Sequence, residues 1–228
     1  MKGVVVLSLG GSLIIPERVD AVFLKKFKKF ILQSTKTHKF IIVCGGGSLA
    51  RKYIAALKSA GSSVHLQGLA GIAATRTNAR FMSYFFNKDS EKGIPHHVKD
   101  IRGLLKKQDI VFCGALTYKT SSTTDAQAAE IAASFKAPFI NLTNVAGLYN
   151  KNPLKHKDAE FISEITWKEF HKMATKEKFK PGQHFVIDGT ASEIILKHKV
   201  KTYVLGRDLN QLGNVLKGKS FRGTLIEG

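Results

Sequence analysis

Residues 4–15, VVVLSLGGSLII, and 40–54, FIIVCGGGSLARKYI, decide the fold. Each opens as an apolar, largely β-branched run and breaks at glycines, which lead into residues of helical spacing. A strand that is apolar on both sides is buried on both sides, as in a parallel sheet between two helix layers. Working outward, Asp20 caps a helix in which Leu24, Phe27 and Ile31 recur at spacings of three and four, with lysines opposite. The helix from about 48 to 60 turns Leu49, Tyr53, Ala56 and Leu57 inward and ends at Gly61. Residues 69–87 make another helix. Strands at 109–113 and 138–142 flank a helix at about 125–135. Then follow a helix near 166–174, a strand at 184–187, a helix at 190–198, a strand at 202–205, a helix near 208–216 and a last strand at 221–226. This alternation predicts a single α/β domain over 1–228, a three-layer αβα sandwich with a largely parallel central sheet.

The chain carries 36 Lys+Arg against 17 Asp+Glu, a net charge of +19. The lysines lie scattered between apolar residues, as on solvated helix faces, and no basic run alternates with aromatics as in a single-strand stacking platform. Nucleic acid is therefore not the expected partner. The positive field suits small polyanions instead. No apolar run approaches the ~20 residues of a membrane span. Glycines and Ser12 interrupt the apolar N-terminus, so it reads as a first strand and not a signal peptide, and a cytoplasmic location is expected. Cys44 and Cys113 sit in strand-like runs and read as buried, reduced thiols. His65, His96, His97, His156 and His184 lack metal-ligand spacing and read as surface or structural; no protein metal site is expected.

Chemistry belongs at the carboxyl ends of the strands. Three loops fall there: Leu9-Gly10-Gly11-Ser12; Gly45-Gly46-Gly47-Ser48, with Arg51 one turn into the next helix; and the polar stretch Thr117 to Asp125. Glycines let backbone N–H groups approach phosphate oxygens, and a helix N-terminus adds partial positive charge. Arg51 is placed to add a guanidinium. Neither glycine loop is a GxxxxGK[ST] or a GxGxxG motif, which disfavours a P-loop kinase and a nicotinamide enzyme.

The segments SLGGS (8–12), VCGGGSLARKYI (43–54), LAGIAATRTNAR (69–80), STTDAQAAEIAA (122–133), INLTNVAGLYNKNP (140–153), PGQHFVID (181–188) and GKSFRGTLIEG (218–228) carry a resemblance. In that order they resemble the amino-acid kinase superfamily and, within it, the UMP kinases of the archaeal branch. The resemblance implies transfer of the γ-phosphoryl group of ATP to UMP, with Mg2+ brought by ATP, in a homo-oligomer, a hexamer by family. It also implies an acceptor half over about 1–135 and an ATP half over about 136–228. To ATP it assigns Ser8, Leu9, Gly10, Gly11, Ser12, Gly47, Arg51, Thr143, Asn144, Tyr149 and Asn152. To UMP it assigns Gly46, Gly68, Thr117, Tyr118, Lys119, Thr120, Ser121, Ser122, Thr123 and Thr124. Arg51 and Asp125 take the catalytic roles, Asp125 as an organiser of cations or backbone; its other reading is a helix cap.

Some positions depart from the family. Ser8 stands where many relatives carry a lysine, so another cation, Lys119 or Lys151, is expected to act. Gly68 stands where relatives hold the acceptor ribose with an aspartate, and Gln67 is one substitute. Ala146 and Asn152 replace acids on the ATP side. Two alternatives stay open: a kinase of the same fold with a different small acceptor, and a nucleotide-binding sensor without turnover.

Overall fold

A computed structural model describes residues 2–91, 93–118, 123–151, 153, 156–176 and 187–228. In chain order the elements are β1 (Gly3–Leu9), α1 (Gly11–Ile14), α2 (Ala21–Ser34), β2 (His38–Cys44), α3 (Gly47–Ser59), α4 (Val64–Phe85), α5 (Val98–Lys107), β3 (Ile110–Cys113) and α6 (Thr124–Phe135). They continue with β4 (Phe139–Leu142), β5 (Leu148–Tyr149), β6 (Phe161–Ile162), β7 (Glu164–Ile165), α7 (Trp167–Lys176), α8 (Gly189–His198), β8 (Thr202–Leu205), α9 (Leu209–Leu216) and β9 (Thr224–Ile226).

The main sheet runs β3-β2-β1-β4-β8-β9-β7, and β5 pairs with β6 in a small antiparallel ribbon. Every pairing in the main sheet is parallel except β8 with β9. Alternate residues of β1 and β2 feed opposite cores. Val6, Ile41 and Val43 join Phe170, Ile131 and Ile195 of α7, α6 and α8 on one face. Val5, Leu7, Leu9, Phe40 and Ile42 join Phe27, Met82 and Leu212 of α2, α4 and α9 on the other. The strands are apolar throughout because both of their faces are covered, and the result is the three-layer arrangement.

Asp20 caps α2 as expected, its carboxylate accepting from the Phe23 amide at 3.0 Å. Two readings differ. Residues 98–107, to which the sequence pattern gives no element, form α5, whose first turn Asp100 anchors by accepting from the His97 amide. The other difference concerns α3: Leu49 and Leu57 are only half-buried, and Tyr53 and Ala56 are exposed. This helix packs on α4 and not on the sheet, so its apolar positions do not enter either core. The strand expected at 184–187 lies outside the described residues apart from Ile187. Among the described residues no helix is long and apolar enough to cross a membrane. Cys44 and Cys113 are free and fully buried, and burial raises both thiols, Cys113 to about 12.

Candidate active site

β1 and β2 lie side by side in parallel, so their glycine loops emerge together. A Cβ on Gly11 would overlap the Gly47 amide, and one on Gly45 would sit 2.5 Å from the Gly11 nitrogen. The two loops therefore touch backbone to backbone, and glycine is the residue type that permits it. Gly47 also needs its left-handed φ of 60° to turn into α3. The Asn78 amide, on α4, ties the second loop down by donating to the Gly45 carbonyl at 2.7 Å and the Gly46 carbonyl at 3.1 Å. The amides that open α3 have no acceptor within the helix and carry its positive end.

The third loop is held from two sides. The Thr75 hydroxyl accepts from the Ala115 amide at 2.9 Å, and the Arg76 guanidinium donates to the carbonyls of Ala115 and Leu116. Buried Gln127, from α6, accepts from the amides of Leu116 and Thr117 and donates to the Thr117 carbonyl. None of Thr75, Arg76, Asn78 and Gln127 was singled out from sequence. Each spends its side chain on loop backbone, a role that no residue type announces. The Tyr118 ring rests against Gly68, and His65 meets it edge-on, with centroids 4.5 Å apart. Gln67, the expected substitute beside Gly68, turns back to donate to the Ser62 carbonyl.

Behind the first glycine loop lies an acidic pocket. Ser8, buried, donates to Asp125 at 2.8 Å. Asp125 keeps part of its surface accessible, yet its carboxyl is enclosed by protein. That burial pushes its pKa up to about 7; the charge of Asp188 adds to the rise, and hydrogen bonds from Ser8 and Asn141 oppose it. Asp188 caps α8 through the amides of Thr190 and Ala191, and it accepts from the Thr123 hydroxyl. The cap of α6 is Thr123, which accepts from the Ala126 amide. Asp125 therefore faces inward to Ser8 while its neighbour does the capping. Asp188 is a member of this pocket to which the sequence reading gave no role.

Arg51 lies outside this pocket. Its guanidinium donates to the Pro16 carbonyl at 3.2 Å and stands 3.8 Å from the Glu17 carboxylate, with both side chains largely exposed. Lys151, one expected cation, pairs with Asp158; Lys119, the other, lies outside the described residues, as do Thr120, Ser121, Ser122 and Asn152. On the far side, Thr143 and Asn144 follow β4, and the Tyr149 ring packs edge-on against Phe161 in the β5–β6 ribbon. Among the described residues no group of three or more His, Cys, Asp or Glu is arranged to hold a metal ion. A cation that arrives on phosphate oxygens with its own waters fits such a site, because it needs no protein cage.

The family model described as "Amino acid kinase family" matches residues 3–206. A uridylate kinase of Thermoplasma volcanium is 36% identical over 228 residues, covering 100% of this chain and 99% of that one. A uridylate kinase of Thermococcus kodakarensis is 33% identical, covering 98% and 99%. The crystal structure of uridylate kinase from Archaeoglobus fulgidus superposes with a TM-score of 0.84 at 33% identity, covering 99% of this chain and all of that one. The two touching glycine loops, the acidic pocket behind them and these full-length likenesses agree: the chain belongs to the amino acid kinase family.

Proposed function

We propose that this chain transfers the γ-phosphoryl group of ATP to UMP, giving ADP and UDP. The observation that carries the reading is the backbone-to-backbone contact of the two glycine loops at the N-terminus of α3. Phosphoryl transfer spreads negative charge over oxygens that must be aligned and neutralised, and two glycine loops meeting at a helix N-terminus supply both. In this reading Ser8, Leu9, Gly10, Gly11, Ser12, Gly47 and Arg51 serve the transferred group, and Thr143, Asn144 and Tyr149 the adenosine. Gly46, Thr123 and Thr124 serve the acceptor phosphate, and Mg2+ comes with ATP and neutralises phosphate charge. The acceptor is already an anion, so no strong base is needed, and Asp125 organises Ser8 and the loop behind the phosphates. The halves divide near residue 135. The likeness to uridylate kinases over the full chain supports UMP as acceptor.

The same reading includes a homo-oligomer, a hexamer by family. It is supported by Tyr53, Val64, Leu66 and Leu69 on α3 and α4, which stand exposed, Val64 at 78%. A second reading, a nucleotide sensor without turnover, is favoured by one observation: the position beside Asp125 is held by a serine. ADP release with MgATP and UMP, CMP, dUMP or isopentenyl phosphate tests both. Turnover fastest with UMP supports the proposal, and UMP binding without turnover supports the sensor.

A further inference from the structure

We infer that the basin between the C-terminal ends of α6 and α8 is a second anion site, built for a small polyphosphate that is free or carried on a nucleotide. It lies where β4 and β8 begin, at the edge of the sheet opposite the glycine loops, which follow the far ends of the parallel strands. Its volume is about 720 Å3, within the roughly 300–1,000 Å3 of ligand pockets. Ala137, Pro138 and Val200 give it apolar walls, and three lysines with exposed side chains, Lys136, Lys199 and Lys201, line it too. Every lining residue is among the described ones. The inference holds whether or not the chain turns over UMP.

Two of these lysines stand where a lysine is unusual. Among the described residues, those with positive φ that are not glycine are Asn87, of a type that tolerates it, and Lys136 and Lys199, each at 49°. Both lysines are the caps that end their helices, α6 and α8. Glycine is the usual residue in such a cap, because a Cβ crowds the left-handed backbone. Nor are the side chains needed to close the helices. After α6 the Ala137 amide donates to the Ala132 carbonyl at 3.0 Å, and the Lys136 amide to the Ala133 carbonyl at 3.1 Å. After α8 the Val200 and Lys199 amides do the same for the Ile195 and Leu196 carbonyls, at 3.0 and 3.3 Å. Backbone bonds thus satisfy both ends, and among the described residues neither ammonium group pairs with a carboxylate.

Charge decides the class of ligand. Two helix C-termini alone would favour a cation, since each carries about half a negative charge. Glu227 adds a carboxylate, 2.7 Å from the Lys201 ammonium, which also lies 5.8 Å from the centroid of the Tyr203 ring. Three ammonium groups outweigh these, so the basin is positive. Three cations around one hollow match the several oxygens of linked phosphates better than a single carboxylate. The apolar walls leave room for an organic body behind them.

The test is calorimetric titration of the full chain with sodium tripolyphosphate, and separately with ATP, at roughly 0.15 M salt. Tripolyphosphate should bind with a Kd below about 1 mM, and Gly11→Ala, which parts the glycine loops, should leave that binding in place. The double variant Lys136→Gly/Lys199→Gly should weaken it at least tenfold. Its urea midpoint should equal or exceed that of the wild type, because glycine adopts the left-handed caps without strain. Glu227→Gln, which releases Lys201 and removes the carboxylate, should tighten binding a few-fold, and it decides the matter if the double variant unfolds early. Lys25→Gln/Lys29→Gln, which removes two exposed charges from α2, should change little. ATP held in the basin more tightly than tripolyphosphate would identify a nucleotide as the ligand, and equal affinities a free polyphosphate. Binding that is absent, that Gly11→Ala abolishes, or that ignores both the double variant and Glu227→Gln would overturn the inference. So would an equal loss in Lys25→Gln/Lys29→Gln, which would reduce the effect to net charge.

Discussion

Where β1 and β2 end, the chain excludes side chains; one residue back, at Ser8, and across to α6 and α8, it buries ionisable ones. The glycine junction works by backbone contact alone, with Gly11 and Gly45 against Gly47 and Gly11. It carries no titratable group and has no room to yield. The Ser8–Asp125–Asp188 pocket is the reverse, with two neighbouring carboxyls, one of them half-neutral near pH 7, joined by hydroxyl donors. The junction should therefore fail sterically and at every pH, the pocket gradually and with pH.

Gly11→Ala attacks the junction most directly. Its methyl would overlap the Gly47 amide, so the loops must part, and a misplacement on the scale of 1 Å is enough to cost ~10²-fold. We expect kcat/KM to fall by more than ~10²-fold for both nucleotides, equally at pH 6 and pH 8. A loss confined to one substrate, or one that varied with pH, would break the contrast. Arg51 sharpens it from the rim. Arg51→Lys should lower turnover by up to about 10²-fold if the guanidinium swings from Pro16 onto phosphate oxygens. Stability should scarcely change, since the exposed contact with Glu17 contributes well under ~1 kcal/mol. Near-normal turnover of Arg51→Ala would remove Arg51 from the chemistry.

The pocket is tested through stability. Asp125 holds its proton in the folded chain up to about pH 7, whereas an unfolded aspartic acid releases it near pH ~4. Its contribution is thus complete below about pH 4 and is lost as pH rises through about 7. Urea unfolding of the nucleotide-free chain should show roughly 2 kcal/mol less stability at pH 8.5 than at pH 5.5 from this group, and Asp125→Asn should flatten that slope. An unchanged slope would mean that the carboxyl is better solvated than its surroundings indicate. The smallest effect is that of Ser8→Ala, about 1 kcal/mol above pH 7. The lost bond favours the ionised form, so the midpoint of the pH dependence should also move upward.

The same contrast explains what could be read from the sequence. Strand runs that stop at glycine pairs are local patterns, so β1, β2, their loops and the layered architecture were legible from residues 4–15 and 40–54. Asp188 was not, because its place beside Asp125 comes from α8 packing on α6, a contact between residues 63 positions apart. Tyr118 and Gly68 were both assigned to UMP by resemblance, but the contact between them, 50 positions apart in the chain, has no local signature. The outward face of α3 shows the opposite error: helical spacing revealed Tyr53 and Ala56 as a stripe but could not say that the stripe faces away from the sheet.

The position of β9 constrains the order in which the sheet can be completed. It lies between β8 and β7, and among the described residues β7 has no other neighbour in the main sheet. Thr224, within it, donates to the Ile162 carbonyl and accepts from the Leu148 amide, joining the small ribbon to the main sheet. During synthesis at roughly 5–20 residues per second, β7 at 164–165 must wait several seconds for residues 224–226 to emerge. The β1–β2 pair waits less, since both strands are made by residue 44. A nascent chain should accordingly bury its glycine junction while the edge beyond β8 is still open to a chaperone or to a neighbouring copy.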